Sequence, residues 1–235
     1  YTHSIVGRSD VYKRQTLGRE GSDYSAAIFA YALNAKMVTI WKDVRGVLNA
    51  DPRYFNKAKL LKKISYEEAI ELAFYGASVI HPKTLQPLKK KNIPLFVKSF
   101  LSPSKEGTLI SKQDFTVRNI PSHIVKWNRV LLKISSKDFS FIVEKKISLI
   151  FSMLSKYKMK VELIQNSAIS FSVVLNNKYG GLNKLLDELK ETFKVSVEKE
   201  VSLFTVRHFN RISLSHIKKF NQNILLEQRT YNTLQ

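Results

Sequence analysis

Residues 16–27 read TLGREGSDYSAA, in which two glycines, an arginine, a serine and an aspartate stand just ahead of a small-residue run. A helix N-terminus carries unpaired N–H groups and the positive end of the macrodipole, so a chain entering a helix here favours an anion. Gly18 and Gly21 allow close backbone approach to a ligand, and Arg19 can grip a carboxylate or phosphate through two parallel hydrogen bonds. Such a turn suits an anionic substrate. The other reading is structural: Ser22 or Asp23 caps the helix and Arg19 is solvated.

The elements that would position this turn alternate between helix and strand. From Ser22 the spacing of Ala26, Ala27, Ala30 and Leu33 predicts a helix with one apolar face. MVTIW (37–41) has strand character, and KDVRGVLNADPR after it carries the Gly, Asn, Asp and Pro of an irregular loop. Ser65 with Glu68 forms a capping box before Ala69, Leu72 and Ala73, and Gly76 ends that helix. A further helix starts at Pro82, and PLFVKSF (94–100) and TLI (108–110) read as strands. This order predicts an α/β layer structure with a mostly parallel sheet over residues 16–111. Residues 112–128 show no sustained period and read as a linker. Residues 129–200 then give strand, helix, strand, strand, helix, strand, the βαββαβ order of a ferredoxin-like unit. Leu182, Leu185, Leu186, Leu189 and Phe193 mark its second helix. Residues 201–235 start another such unit without completing it, with a short helix expected around 213–220.

Composition narrows the function classes. A chain of 235 residues that is 44% hydrophobic can bury a sizeable core, and it has no apolar run of membrane-spanning length. Zero cysteines exclude disulfides and thiolate metal sites, and the five histidines lack ligand spacing. The net charge of +20 raises a nucleic-acid reading, but the lysines are spread along the whole chain rather than clustered. Tyr1 to Gln15 reads as foreign: DVYKRQ back-translates to GAT GTG TAT AAG AGA CAG, similar to a transposon end used in sequencing adapters. On that reading the protein begins upstream of Thr16.

In order along the chain stand TLGREGSDYSAA, WKDVRGVLNADPR, FYGASVIHPKTLQPL and the pair IPLFVKSF and GTLI. The series resembles the aspartate kinases of the amino acid kinase family, with residues 16–111 similar to the nucleotide-binding half of the kinase domain. The remainder resembles the family's ACT regulatory domains, whose fold is the βαββαβ order above. The resemblance implies ATP with Mg²⁺ as cofactors and transfer of the γ-phosphoryl group to the side-chain carboxylate of L-aspartate, in the cytoplasm. Arg19, Ser22 and Asp23 fall on positions that hold the amino acid and order the reacting groups, with Arg19 and Asp23 as the catalytic candidates. An Arg beside an Asp also complements a zwitterion. Lys42 and Asp43 become candidates for contacts to adenosine, and Arg53 for the phosphates. Two residues depart from the pattern: Leu48 stands where an aromatic is common, and Ser78 where many relatives have lysine. His81, ahead of Pro82, reads as a capping or packing residue rather than a proton shuttle.

In the ACT region Glu162, Asn166 and Ser167 fall where related kinases hold a lysine or threonine effector between paired domains, which also implies a homo-oligomer. Ala168 stands where lysine-sensitive relatives show glutamate. The family's N-terminal KFGG-type lysine is absent from this stretch, so the chain by itself is expected to be inactive. Two other functions stay open from sequence: a regulatory and oligomerising module without catalysis, and a basic nucleic-acid binder.

Overall fold

The computed structural model describes residues 21–77, 79–112, 120–210, 213 and 223–235. Gly18, Arg19 and Ser78, and the short helix expected around 213–220 apart from Ser213, lie outside the described residues. The chain divides into two units, Tyr1–Ile120 and Pro121–Gln235.

In the first unit, helix α1 (Gly21–Ala32) buries Asp23, Ala27 and Ala30. Their i, i+4, i+7 spacing places the acid on the same stripe as the two alanines. Leu33, expected on that face, is 76% exposed because the helix ends at Ala32. Strand β1 (Val38–Lys42) follows, then a long loop, β2 (Lys63–Ser65), α2 (Tyr66–Tyr75), α3 (Pro82–Lys91), β3 (Leu95–Ser99) and β4 (Thr108–Ser111). The Ser65 hydroxyl accepts from the Glu68 N–H at 3.1 Å, and Gly76 closes α2 in the left-handed conformation, φ 114°. His81 Nδ1 accepts from the Lys83 N–H at 3.1 Å and caps α3.

The sheet order is β1-β3-β4-β2. β1 pairs β3 in parallel and β2 pairs β4 in parallel, while the central β3–β4 pair is antiparallel. The sheet is therefore parallel in two of its three pairings, in keeping with the expected α/β class. Strand β2, three residues long, carries no periodic signal of its own; Ile64 is its single fully buried side chain.

In the second unit, β5 (Ser122–Ser136), α4 (Glu144–Lys156), β6 (Lys160–Asn166), β7 (Ser170–Asn176), α5 (Leu182–Thr192) and β8 (Phe193–Arg207) form the expected βαββαβ unit. The sheet order is β6-β7-β5-β8-β9, with the two-residue β9 (Thr233–Leu234) at the edge. Leu132, Ile134, Phe171, Val173 and Leu175 from the strands close on Ile150, Leu154, Leu182, Leu185 and Leu189 from α4 and α5. Burial of that apolar face is the main force holding the unit together.

Two boundaries read from sequence shift. The stretch taken as a linker to residue 128 is sheet from Ser122 onward, and the strands taken to break at residue 200 are one strand, β8. Ser122–Lys126 pairs with Leu203–Arg207, and Leu131–Ser136 pairs with Phe193–Glu198, with a register shift on each side of Arg129, which pairs with Val201. Asn128 sits at the first shift with φ 56°, so the side-chain alternation is interrupted and no period of two is visible through it.

Candidate active site

β1 and β3 run parallel, and their last residues, Lys42 and Ser99, are register partners. In open α/β sheets the carboxyl ends of parallel strands are where ligands bind, because the loops there are free to vary. Lys42 Nζ lies 2.5 Å from Asp23 Oδ2 of α1. The Asp23 side chain is 9% exposed and that of Lys42 20%. The contact is ionic rather than an aligned hydrogen bond. A carboxylate this deeply buried needs a counter-charge, which Lys42 supplies. Two residues nineteen apart in the chain, expected on the amino-acid side and the nucleotide side, thus meet at one point. Ser22 is exposed in the same helical turn.

The loop after β1 is anchored against the start of β4. Gly46 has φ 143°, and a Cβ there would lie 2.5 Å from Thr108 Oγ1. Thr108 Oγ1 in turn accepts from the Val47 N–H at 2.8 Å, and Val47 O accepts from Leu61 N–H. Only glycine fits this backbone and this approach. Asp43, between Lys42 and this anchor, is exposed. Further on, Leu48 bridges Leu60, so this departure from the family pattern is part of the loop's own packing. Ser99 and Thr108, both buried, are site-bordering residues that sequence reasoning passed over. Their signal was positional, Thr108 opening one predicted strand and Ser99 standing next to last in the other.

Arg53 is at the loop's tip. Its guanidinium makes a bidentate contact to Asp51, Nε donating to Oδ1 at 3.1 Å and Nη2 to Oδ2 at 2.7 Å, and its backbone N–H also donates to Asp51 Oδ1. The guanidinium hydrogen bond holds the Asp51 carboxyl below the usual carboxylate range. With the Arg53 side chain 79% exposed, solvent screens the pair, so the guanidinium can be released to another anion at small cost.

Residues 2–99 match the model of the Amino acid kinase family, a stretch that starts within the segment read from sequence as foreign. The lysine-sensitive aspartokinase 3 of Escherichia coli (strain K12) is 33% identical over 213 residues, covering 86% of this chain and 46% of that protein. The chain thus spans less than half the length of that relative. Solved structures of E. coli aspartokinase III, one with lysine and aspartate and one with aspartate and ADP, align at TM-scores of 0.74 and 0.73. Both are 30% identical and cover 94% of this chain and 52% of theirs. The aspartate kinase of Clostridium acetobutylicum aligns at 0.81 with 26% identity, over 94% of this chain and 55% of that one. The chain belongs to the aspartokinase branch of the amino acid kinase family.

In this aspartokinase chain the three residues expected at an effector site are not together. Glu162 sits at a bulge of β6 with its side chain 2% exposed, 2.6 Å from Arg129 Nε and 3.3 Å from Lys126 Nζ. Burial pushes the Lys126 ammonium below its usual range, against the pull of Glu162. Asn166 and Ser167 are exposed four and five residues further on, roughly 13–17 Å along a strand. There Ser167 N–H donates to Ser170 O at 2.8 Å and the two hydroxyls are 2.9 Å apart. Ile142 N–H donates to Ala168 O, drawing the segment before α4 to this turn. Around it Phe139, Phe141 and Ile169 are 81%, 65% and 43% exposed. Among the described residues no helix is long and apolar enough to cross a membrane.

Proposed function

We propose that the full-length protein is an aspartate kinase, transferring the γ-phosphoryl group of ATP to the side-chain carboxylate of L-aspartate. The observation that carries this is the Asp23–Lys42 ion pair at the carboxyl ends of β1 and β3. It joins the GSD turn and the WKD strand end at one place, which is where acceptor and donor must meet. Ser22 and Asp23, with Arg19, hold the amino acid; Lys42 and Asp43 face the nucleotide, and Arg53 the phosphates. That aspartate and ADP are bound together in the E. coli enzyme supports the same pair of ligands here.

The chemistry asks little covalent work of the protein. An aspartate carboxylate oxygen bonds to the γ-phosphorus as the bond to the β,γ-bridging oxygen breaks, and ADP leaves with that electron pair. Positioning and charge stabilisation supply the rate. Among the described residues no cluster of three acidic or histidine side chains could hold a metal ion. Mg²⁺ would be carried on the nucleotide phosphates and would need few protein ligands. When bound, it neutralises phosphate charge.

Regulation by a free amino acid, and self-association through the second unit, belong to the same proposal. The apolar side chains around the Asn166–Ser167 turn support a paired surface, and a lysine-bound E. coli enzyme supports lysine as the effector. Aspartyl phosphate trapped with hydroxylamine, made by the full-length gene product from ATP and L-aspartate, is the expected result. No hydroxamate above a nucleotide-free control would overturn the reading.

A further inference from the structure

Lysine presents three N–H donors on a compact charge. Among the described residues the Lys42 ammonium has one polar partner, Asp23, and its side chain is one-fifth exposed. It is therefore neither free in solvent nor consumed. The backbone under it is fixed on both sides: Lys42 pairs Ser99 in register, and Lys42 O accepts from the Phe100 N–H at 2.9 Å. Asp23 is fixed as well, on the buried stripe of α1 with Ala27 and Ala30. A buried acid on a rigid helix thus holds a cation across the strand ends by charge, with its N–H donors available to anionic oxygens.

We propose that Lys42 is the catalytic cation that bonds the transferring phosphoryl group, and that Asp23 acts on the reaction through Lys42, as its positioning residue. The assignment rests on the aspartate kinase reading above and goes beyond it. It moves Lys42 from adenosine to the γ-phosphate, and moves Asp23 from direct contact with the amino acid to a role through Lys42. In the step itself the oxygen–phosphorus bond to aspartate forms and the bond to the β,γ-bridging oxygen breaks, with no proton transferred to or from Lys42. The ammonium acts by charge and hydrogen bonding on equatorial phosphoryl oxygens. An unpaired lysine at this place would sample many rotamers toward water, whereas one tethered to Asp23 enters the reaction already oriented.

Nucleotide binding and turnover in the full-length gene product together test the assignment. Calorimetric titration of Lys42→Gln should show the non-hydrolysable β,γ-imido analogue of ATP weakened about tenfold or more. ADP binding should stay within about twofold, since ADP lacks the group Lys42 grips. Turnover should fall about 10²- to 10³-fold with the KM for aspartate little changed, the loss typical of one removed charge donor. Lys42→Arg, which keeps the charge and the partner for Asp23, should recover at least about tenfold of that turnover, which a merely structural role would not allow. Asp23→Asn should lower kcat more than it raises either KM. Equal weakening of ADP and the analogue would return Lys42 to the adenosine side and overturn the assignment. So would turnover within threefold of the unaltered enzyme. If the unaltered enzyme forms no aspartyl phosphate, the kinase reading fails first and this assignment falls with it.

Discussion

The Glu162 carboxylate on β6 lies 2.6 Å from Arg129 Nε on β5, with β7 between the two strands, and Lys126 Nζ reaches the same carboxylate from 3.3 Å. Arg129 also donates to the Trp127 carbonyl. Both cations flank Asn128, where β5 changes register. The cluster therefore fixes the bend of the long strand, and Glu162 is engaged in that task.

Removing Glu162 strands two cations, whereas removing Lys126 leaves Glu162 with Arg129. Glu162→Gln should cost about 3–5 kcal/mol in urea unfolding, and Lys126→Met should be neutral or stabilising. The sign of the pH effect follows from the lowered Lys126 value. The unfolded chain binds this proton more tightly, so the penalty is complete below the folded pKa and is relieved as pH rises toward 10.5. Stability of the parent should rise through that window and that of Lys126→Met should not.

Tyr66 is fully buried, and its hydroxyl donates to Ile93 O at 2.6 Å. Burial raises its pKa to about 12 from 10. A phenol raised in the folded state stabilises below the unfolded value and loses that contribution as pH climbs through the folded one. Unfolding followed by circular dichroism should show stability declining between pH 10 and 12, and Tyr66→Phe should remove this component while costing about 1 kcal/mol at neutral pH.

Gly46→Ala forces a Cβ to within 2.5 Å of Thr108 Oγ1 at a φ of 143°. Both strain and clash oppose it, for a loss of about 2 kcal/mol or more in denaturant titration. The loop carrying Asp43 would be displaced, so nucleotide binding should weaken in the same variant.

Arg53→Ala separates function from stability. The Asp51–Arg53 pair is exposed, so the melting midpoint should stay nearly unchanged. Kinase assays on the full-length protein should nonetheless show a raised KM for ATP. An unchanged KM would remove Arg53 from the phosphate side.

Phe141 is 65% exposed beside the Ala168–Ile169 turn. Large exposed apolar side chains grouped in this way mark an association surface. Phe141→Asp should shift the mass measured by light scattering toward the monomer and leave the unfolding midpoint nearly unchanged.

Local rules fixed much of this protein in advance. Ser65, Gly76 and His81 cap their helices through contacts within a few residues, and α5 follows the spacing of Leu182, Leu185, Leu186 and Leu189. The βαββαβ order and the GSD and WKD motifs were likewise readable, because each depends on neighbours in sequence. What only the tertiary structure decided depends on partners far along the chain. Lys42 meets Asp23 because parallel β1 ends against α1, and Gly46 is fixed by Thr108, sixty-two residues on. Glu162 turns inward to Arg129 and Lys126 rather than toward the exposed Asn166. Strand β5 continues through a stretch without period because its ladder partner is β8, whose hydrogen bonds hold a backbone that its own side chains do not specify. Charge pairing and ladder register act across the fold, so the sequence carries the residues for them without revealing which ones meet.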